Sequence, residues 1–121
     1  MDDKILAALK GSIKHWEENA DNDEFNAEAC SAEECPLCAM FNPYIKPDMQ
    51  FLEKQMIGCA GCPVKLATGH DFCNNTPYYC AQNYHEVWGE EEDDDAKKAF
   101  QAEAKKEVAF LVSLLPEGER T

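Results

Sequence analysis

The chain has 121 residues, the size of one domain, and carries 24 acidic against 11 basic side chains for a formal net charge of −13. A chain this negative has few cations to exchange for phosphate counterions, which argues against direct binding of nucleic acid or of an anionic membrane. The sequence shows no secretory signal and no apolar run approaching about 18 residues, so we expect a cytoplasmic protein with reduced thiols.

Charge divides the chain into three zones of a single predicted domain, 1–121. Residues 1–34 hold ten acids and three lysines and are expected to form an acidic helix and loop. Residues 35–89 hold four acids, three lysines and six of the seven cysteines, and form the expected metal module. Residues 90–121 hold ten acids and five bases and are predicted to form an acid-capped helix. A nearly neutral centre therefore separates two acidic flanks.

The first zone opens with an amphipathic helix. Apolar side chains recur at spacings that place them on one helical face: Ile5, Leu9, Ile13 and Trp16. Gly11 lies inside this pattern and costs about 1 kcal/mol relative to alanine. We expect the helix to end near Asn19 and residues 20–34 to form a solvated loop or a short acidic helix.

The cysteine-rich centre is predicted to consist of short helices joined by turns. Asp48 is expected to cap a helix that Gly58 closes. Pro63 opens a brief helix that ends at Gly69. Thr76 and the proline after it cap a longer helix over residues 78–88. No stretch shows the alternation of a strand.

The last zone carries the clearest helix pattern. Carboxylates fill positions 90–95 and suit a helix N-terminus, where the macrodipole is positive. An apolar stripe follows, formed by Phe100, Ala104, Val108, Leu111 and Leu115, and Pro116 ends it. Together these elements predict a mainly α, small single domain whose terminal helices pack on a central Cys-rich zinc-knuckle module.

Two Cys-x-x-Cys pairs, Cys35 with Cys38 and Cys59 with Cys62, are the strongest motif of the sequence. Two residues between cysteines let both thiolates face one ion while the following backbone amides hydrogen-bond to the sulfurs. Two pairs supply the four sulfurs of a tetrahedral site, with Zn–S distances of about 2.3 Å. We therefore expect a structural zinc at these four residues, with Cys73 as a substitute ligand.

Other inorganic sites stay open. A second site formed by His70, Cys73, Cys80 and His85 has suitable donors at irregular spacing. Its alternative is that the histidines lie on the surface and the cysteines are packed. An iron–sulfur cluster on four of the cysteines is the other alternative to zinc. A redox dithiol is disfavoured for two reasons. The acidic residues before the first pair oppose a thiolate there, and no strand pattern precedes that pair.

Motifs of the common enzyme classes are absent from the sequence. It contains no phosphate loop, no dinucleotide-binding glycine motif and no Gly-x-Ser-x-Gly, and no second histidine follows His85–Glu86 at the spacing of a zinc protease. A zinc with four sulfur ligands has no open position for water. The sequence therefore favours a non-enzymatic role, with a metal-dependent enzyme at the second cluster as the alternative.

Aromatic side chains are concentrated between residues 76 and 88. They are Tyr78, Tyr79, Tyr84 and Trp88. We expect these rings to cover the metal module as core, with an anchor for protein contacts as the alternative.

The two cysteine pairs also carry a resemblance. The run Cys35-Pro-Leu-Cys38, Cys59-Ala-Gly-Cys62-Pro-Val64, Thr68-Gly69, Cys73 and Thr76-Pro-Tyr78 resembles small cysteine-rich bacteriophage proteins, most of them uncharacterised. The resemblance covers roughly residues 35–80, and the segment 12–16 is similar too. It implies a phage origin and the cytoplasm of the bacterial host, and it supplies no activity and no site residues.

These expectations combine into one functional hypothesis. We expect a small acidic zinc-binding phage protein that acts by contact with a host or phage protein, inhibition or modulation of a defence protein being one form. Carboxylates at 17–34 and 90–95 are dense enough to compete for a basic groove, although acidic surfaces usually confer only solubility. The alternatives are a metal-dependent enzyme, an iron–sulfur protein, and a virion or scaffold component.

Overall fold

The chain is mainly helical. The computed structural model describes residues 1–31, 34–43, 48–70 and 76–119, without the side chains of 55–57, and these ranges contain no strand. The helices are α1 (Asp3–Asp21), α2 (Pro36–Phe41), α3 (Phe51–Ile57), α4 (Pro63–Thr68), α5 (Pro77–Glu91) and α6 (Asp94–Ser113), followed by a 3-10 helix at Glu117–Glu119. The mainly α class is confirmed, and the zinc-knuckle module stays a prediction.

Helices α1, α5 and α6 form a three-helix bundle, in which α6 packs against both of the others. Its interior is built from large apolar side chains, chiefly Leu9, Trp16, Trp88, Phe100 and Leu111. The ring centroids of Trp16 and Phe100 are 6.4 Å apart, and those of Trp88 and Phe100 are 5.8 Å apart. The terminal helices therefore pack on each other, and α2 joins the bundle through α1.

In the described ranges, no helix combines the length and apolar character needed to cross a bilayer.

Helix α1 confirms the predicted apolar stripe and runs two residues beyond the predicted end. Asp2 caps it by accepting a hydrogen bond from the Lys4 amide at 2.7 Å. A Cβ placed on Gly11 would lie 3.0 Å from Pro36 Cγ. The glycine therefore permits the close approach of α2, which offsets its cost to the helix.

Residues 22–31 after α1 form a loop, which was one of the two predicted forms, and side chains of the bundle hold it in place. His15 Nε2 and Asn19 Nδ2 hydrogen-bond to the carbonyl oxygen of Ala29, at 2.8 and 3.0 Å. Gln101 Nε2 donates to the Asn22 carbonyl at 2.9 Å. Phe25 packs so closely on α5 that a Cβ at Gly89 would lie 2.5 Å from its Cζ.

The two short helices α3 and α4 end at glycines, as predicted. Gly58 and Gly69 have φ values of 55° and 78°, a region that favours glycine. Helix α3 begins with Gln50 at its N-cap. The predicted cap by Asp48 is wrong, because that residue lies in a turn two positions before the N-cap.

The acidic run 90–95 is divided between two helices, so the prediction that it heads a single helix is wrong. Helix α5 continues to Glu91, and Glu92 has a left-handed conformation with φ 50° that reverses the chain. Asp93 then caps α6 and accepts a hydrogen bond from the Asp95 amide at 2.8 Å. The reversal lets α5 and α6 pack face to face, which places Trp88 against Phe100.

The start of α5 is capped by a residue distant in sequence. Thr76 occupies the N-cap as predicted, but its side chain makes no capping hydrogen bond. The Tyr78 amide instead donates to Glu107 Oε2 at 2.9 Å. A carboxylate from α6 thus accepts at the positive end of the α5 dipole, which ties the two helices together.

Candidate metal site

The two cysteine pairs lie in tight turns that lead into short helices. Cys35 is the N-cap of α2 and Cys62 is the N-cap of α4, and a proline occupies the first turn after each. Proline suits that position because its fixed φ is helical and its missing N–H is not needed there. The second turn is closed by a hydrogen bond from the Cys62 amide to the Cys59 carbonyl at 3.0 Å. The sequence therefore orients each pair through its own Cys–Pro step.

The fold brings the two pairs together although twenty residues separate them. Cys38, Cys59 and Cys62 line one cavity of about 20 Å³, and His70 lies on its rim. The rest of the lining is mostly apolar, formed by Leu37, Phe41 and Val64 with Lys65. A space of this size accommodates one particle as large as a water molecule.

Cys35 lies beside this cavity and interacts with Cys38 of its own pair and with Cys62 of the other. Its thiol is hydrogen-bonded to the Cys38 side chain, which together with burial raises the pKa of Cys35 far above its ordinary value. Burial also raises the pKa of Cys62, and the nearby Cys59 and Cys35 sulfurs add to that shift. Raised pKa values do not suit a redox dithiol, in which the attacking thiol has a lowered pKa.

Backbone amides partly oppose these shifts. The amides of Val64 and Lys65 hydrogen-bond to the Cys62 sulfur and lower its pKa, and the Cys38 amide does the same for Cys35. Amide-to-sulfur bonds of this kind stabilise a thiolate, the form in which cysteine binds metal. The chemistry of the donor set, four thiols in an apolar surround, fits zinc.

The ligand set itself stays a prediction. In the described part of the chain, no three histidine, cysteine, aspartate or glutamate side chains are grouped so as to hold a metal ion. Cys73, the predicted substitute ligand, lies outside the described residues.

Ser12 on α1 contacts the site, a contact that the cysteine motifs did not predict. Its side chain is fully buried, and its Oγ lies 3.3 Å from Cys35 Sγ. The same oxygen accepts a hydrogen bond from the Leu37 amide at 3.1 Å. A signal was present, because a serine between Leu9 and Ile13 on the apolar face must find polar partners once it is buried.

The predicted second site is distributed over different parts of the structure. His70 lies at the first cavity, and Cys73 lies outside the described residues. Cys80 is exposed on α5, whereas His85 is buried and its Nε2 lies 2.7 Å from the Asn26 carbonyl oxygen. The His85 ring also stacks on Phe25 with centroids 4.7 Å apart. His85 thus has a structural role in the bundle, and the second site stays a prediction.

Cys30, the cysteine outside both predicted sites, is packed against the bundle. Burial raises the pKa of its thiol to about 12. Its carbonyl oxygen accepts a hydrogen bond from the Tyr78 hydroxyl at 2.7 Å. Tyr78 also contacts Trp16 edge-on, with ring centroids 5.6 Å apart, so this residue is core as expected. The expectation that the aromatic rings are core is wrong for Tyr79 and Tyr84, which are exposed.

Glu107 is a buried carboxyl that the sequence analysis did not identify. It is 1% exposed, and burial raises its pKa to about 7 even though the Tyr78 amide donates to it. The nearby Cys35 sulfur contributes to the same shift. Residue 107 falls between Ala104 and Leu111 in the apolar stripe of α6, and this spacing predicts its burial.

Compared with known proteins, the chain matches no family model, no curated protein and no solved structure. The resemblance to phage proteins therefore stays a prediction.

Proposed function

We propose that this chain is a small acidic protein in which Cys35, Cys38, Cys59 and Cys62 hold one structural zinc ion, and that it acts by contact with a partner protein. Zinc here supplies a crosslink between two turns and performs no chemistry, because four sulfur ligands leave no position for a substrate. If the phage origin implied by the resemblance holds, the partner is a host, defence or phage protein.

The observation that carries the metal half of the proposal is the shared cavity. Three thiols from the two pairs line it, and the fourth, Cys35, is hydrogen-bonded to Cys38. Buried thiols with raised pKa values bind metal only by releasing protons, and the amides at Cys62 lower the cost of that release. Zinc is favoured over an iron–sulfur cluster because the cavity, at about 20 Å³, suits one ion better than several atoms.

Elemental analysis of the untagged protein tests the metal half. We expect one zinc per chain, and loss of most of it when Cys38, Cys59 or Cys62 is replaced by serine. The matched controls are Cys80→Ser, at an exposed position on α5, and Cys30→Ser, at a packed position away from the cavity. Full zinc content in all three site variants would contradict the proposal.

The contact half is supported by the outward side of α5. Tyr79, Tyr84 and Val87 are 54%, 41% and 38% exposed, although large apolar side chains favour burial. We name this surface, with the neighbouring Glu86 and Glu90, the α5 outer face. Tyrosine is enriched in protein interfaces because it joins a large apolar ring to a polar tip.

Charge identifies the partner chemistry for this face. Helix α5 contains no lysine or arginine, and the carboxylates 90–95 begin in its last turn. The acidic loop after α1 adds negative charge at the same end of the bundle, because Asp23 lies 3.7 Å from Lys97 and Phe25 packs on α5. The surface therefore complements a basic, amphipathic segment of a protein, in which apolar groups meet the tyrosines and cations meet the carboxylates.

Titration with a short helical peptide of lysine and leucine tests this contact. We expect Tyr84→Ala to weaken binding about fivefold or more, as for an interface anchor. The double variant Glu90→Gln, Glu91→Gln should weaken binding more than Glu17→Gln, Glu18→Gln, which removes the same charge from exposed positions on α1. Equal loss in the two double variants would show attraction to net charge alone and would refute the proposed face.

A further inference from the structure

Ser12 lies at the junction between the helical bundle and the cysteine cavity. It belongs to α1, whereas the two groups it contacts, Cys35 and Leu37, lie 23 and 25 residues further along the chain. Its side chain is fully buried, so water does not compete for these contacts. The N-cap of α2, Cys35, makes no side-chain capping hydrogen bond, and α1 supplies the hydroxyl that accepts from the first turn of α2.

The two contacts allow the hydroxyl group to donate to Cys35 while it accepts from Leu37. The Leu37 amide donates to Ser12 Oγ at 3.1 Å, which uses one acceptor position of that oxygen. The hydroxyl proton remains for the Cys35 sulfur, 3.3 Å away. A metal-bound thiolate has no proton of its own, so in the loaded site Ser12 must be the donor.

We infer that Ser12 is a positioning residue for the metal site, which orients Cys35 as a thiolate ligand and couples zinc binding to the stability of α1. This inference rests on the proposed zinc site and assigns a role to a residue outside the ligand set. Partners that hydrogen-bond to a metal ligand fix its orientation, and their removal typically weakens metal binding about 10- to 100-fold. Gly11, the residue before Ser12, allows Pro36 to approach α1 closely. This approach keeps α2 at the distance that the contact between Ser12 and Cys35 requires.

Zinc affinity, measured by competition with a chelator on the full chain, tests the inference. Ser12→Ala removes the hydroxyl with little change in volume, and we expect about tenfold weaker zinc binding. Ser12→Thr keeps the hydroxyl and should stay within about threefold of the unaltered chain. Ser113→Ala removes an exposed serine of α6 and should have no effect.

The outcomes separate this inference from the proposed function. If the unaltered chain binds no zinc, the proposed function fails. If it binds zinc and Ser12→Ala binds it equally well at the same pH, only the role of Ser12 fails, even if the variant melts at a lower temperature. Amide exchange of the unaltered protein gives a check that needs no variant. Zinc should slow exchange of the Leu37 amide and of α1 around Ser12, and unchanged exchange at both would overturn the inference.

Discussion

The helical bundle and the cysteine segment, residues 35–69, are stabilised in different ways. The bundle buries large side chains, among them Trp16, Phe100 and Leu111. Among the described residues of the cysteine segment, Leu37 and Val64 are buried with three of the cysteines, whereas Phe51, Leu52 and Leu66 are 64%, 72% and 78% exposed. Apolar burial therefore contributes less to the segment than to the bundle. A small fold with this deficit typically relies on a crosslink, and the proposed zinc supplies one.

Removal of zinc by a chelator should show the difference between the two regions most clearly. We expect amide protection in α2 and α4 to fall by about a hundredfold or more, equivalent to roughly 3 kcal/mol, because the crosslink between their turns is lost. Protection in α5 and α6 should change little, since these helices pack through their own apolar core. Hydrogen exchange followed by mass spectrometry measures both regions in one experiment, and adding zinc back should restore the first.

An equal loss of protection in α2, α4 and α6 would contradict this account. It would mean that the two regions unfold as one unit whatever stabilises each of them.

Replacement of Glu107 by glutamine tests how a buried carboxyl affects the stability of the bundle. The folded pKa of about 7 lies above the ordinary value of 4.5, so the carboxyl lowers stability as pH rises from about 4.5 to 7. Glutamine does not titrate and its amide oxygen still accepts from the Tyr78 amide. Glu107→Gln should therefore be more stable than the unaltered chain at pH 8, by up to about 3 kcal/mol, and similar to it at pH 4.

Urea unfolding at the two pH values measures this difference. Glu17→Gln, at an exposed position on α1, is the control for the loss of one negative charge. If both variants gain the same stability at pH 8, general charge repulsion and not the burial of Glu107 explains the effect.

Gly11→Ala tests the contact between the two regions and should have the smallest effect. Helix propensity alone would stabilise the variant by about 1 kcal/mol. The new methyl group would lie 3.0 Å from the rigid Pro36 ring, and such crowding costs about 1–3 kcal/mol. We expect a net loss of about 1 kcal/mol in thermal unfolding. Ala7→Gly, at an exposed position of the same helix, calibrates the propensity term.

Local sequence rules predicted the helices with strong periodicity and missed the features that depend on distant residues. The stripes of α1 and α6, the glycines that close α3 and α4, and the proline that opens α4 follow from neighbours in sequence. The reversal at Glu92 was not predicted, because no glycine or proline marks it. It exists because α5 and α6 gain buried area by packing together.

The site shows the same limit. Spacing predicted that the two cysteine pairs share one neighbourhood, and the shared cavity agrees with that. Spacing alone could not place Ser12 beside Cys35 or Glu107 beneath α5, since both contacts need the tertiary packing of α1 and α6. Both residues nevertheless lie at apolar stripe positions, where a polar side chain indicates a buried partner.

X-ray absorption at the zinc edge of the purified full chain tests the central claim most directly. The account predicts four sulfur atoms at about 2.3 Å and no nitrogen or oxygen in the first shell. A shell that includes nitrogen would indicate that a histidine, such as His70 at the rim of the cavity, replaces one thiolate. Absence of zinc from a folded, freshly purified chain, or a shell dominated by oxygen, would contradict the claim that the four cysteines hold the metal.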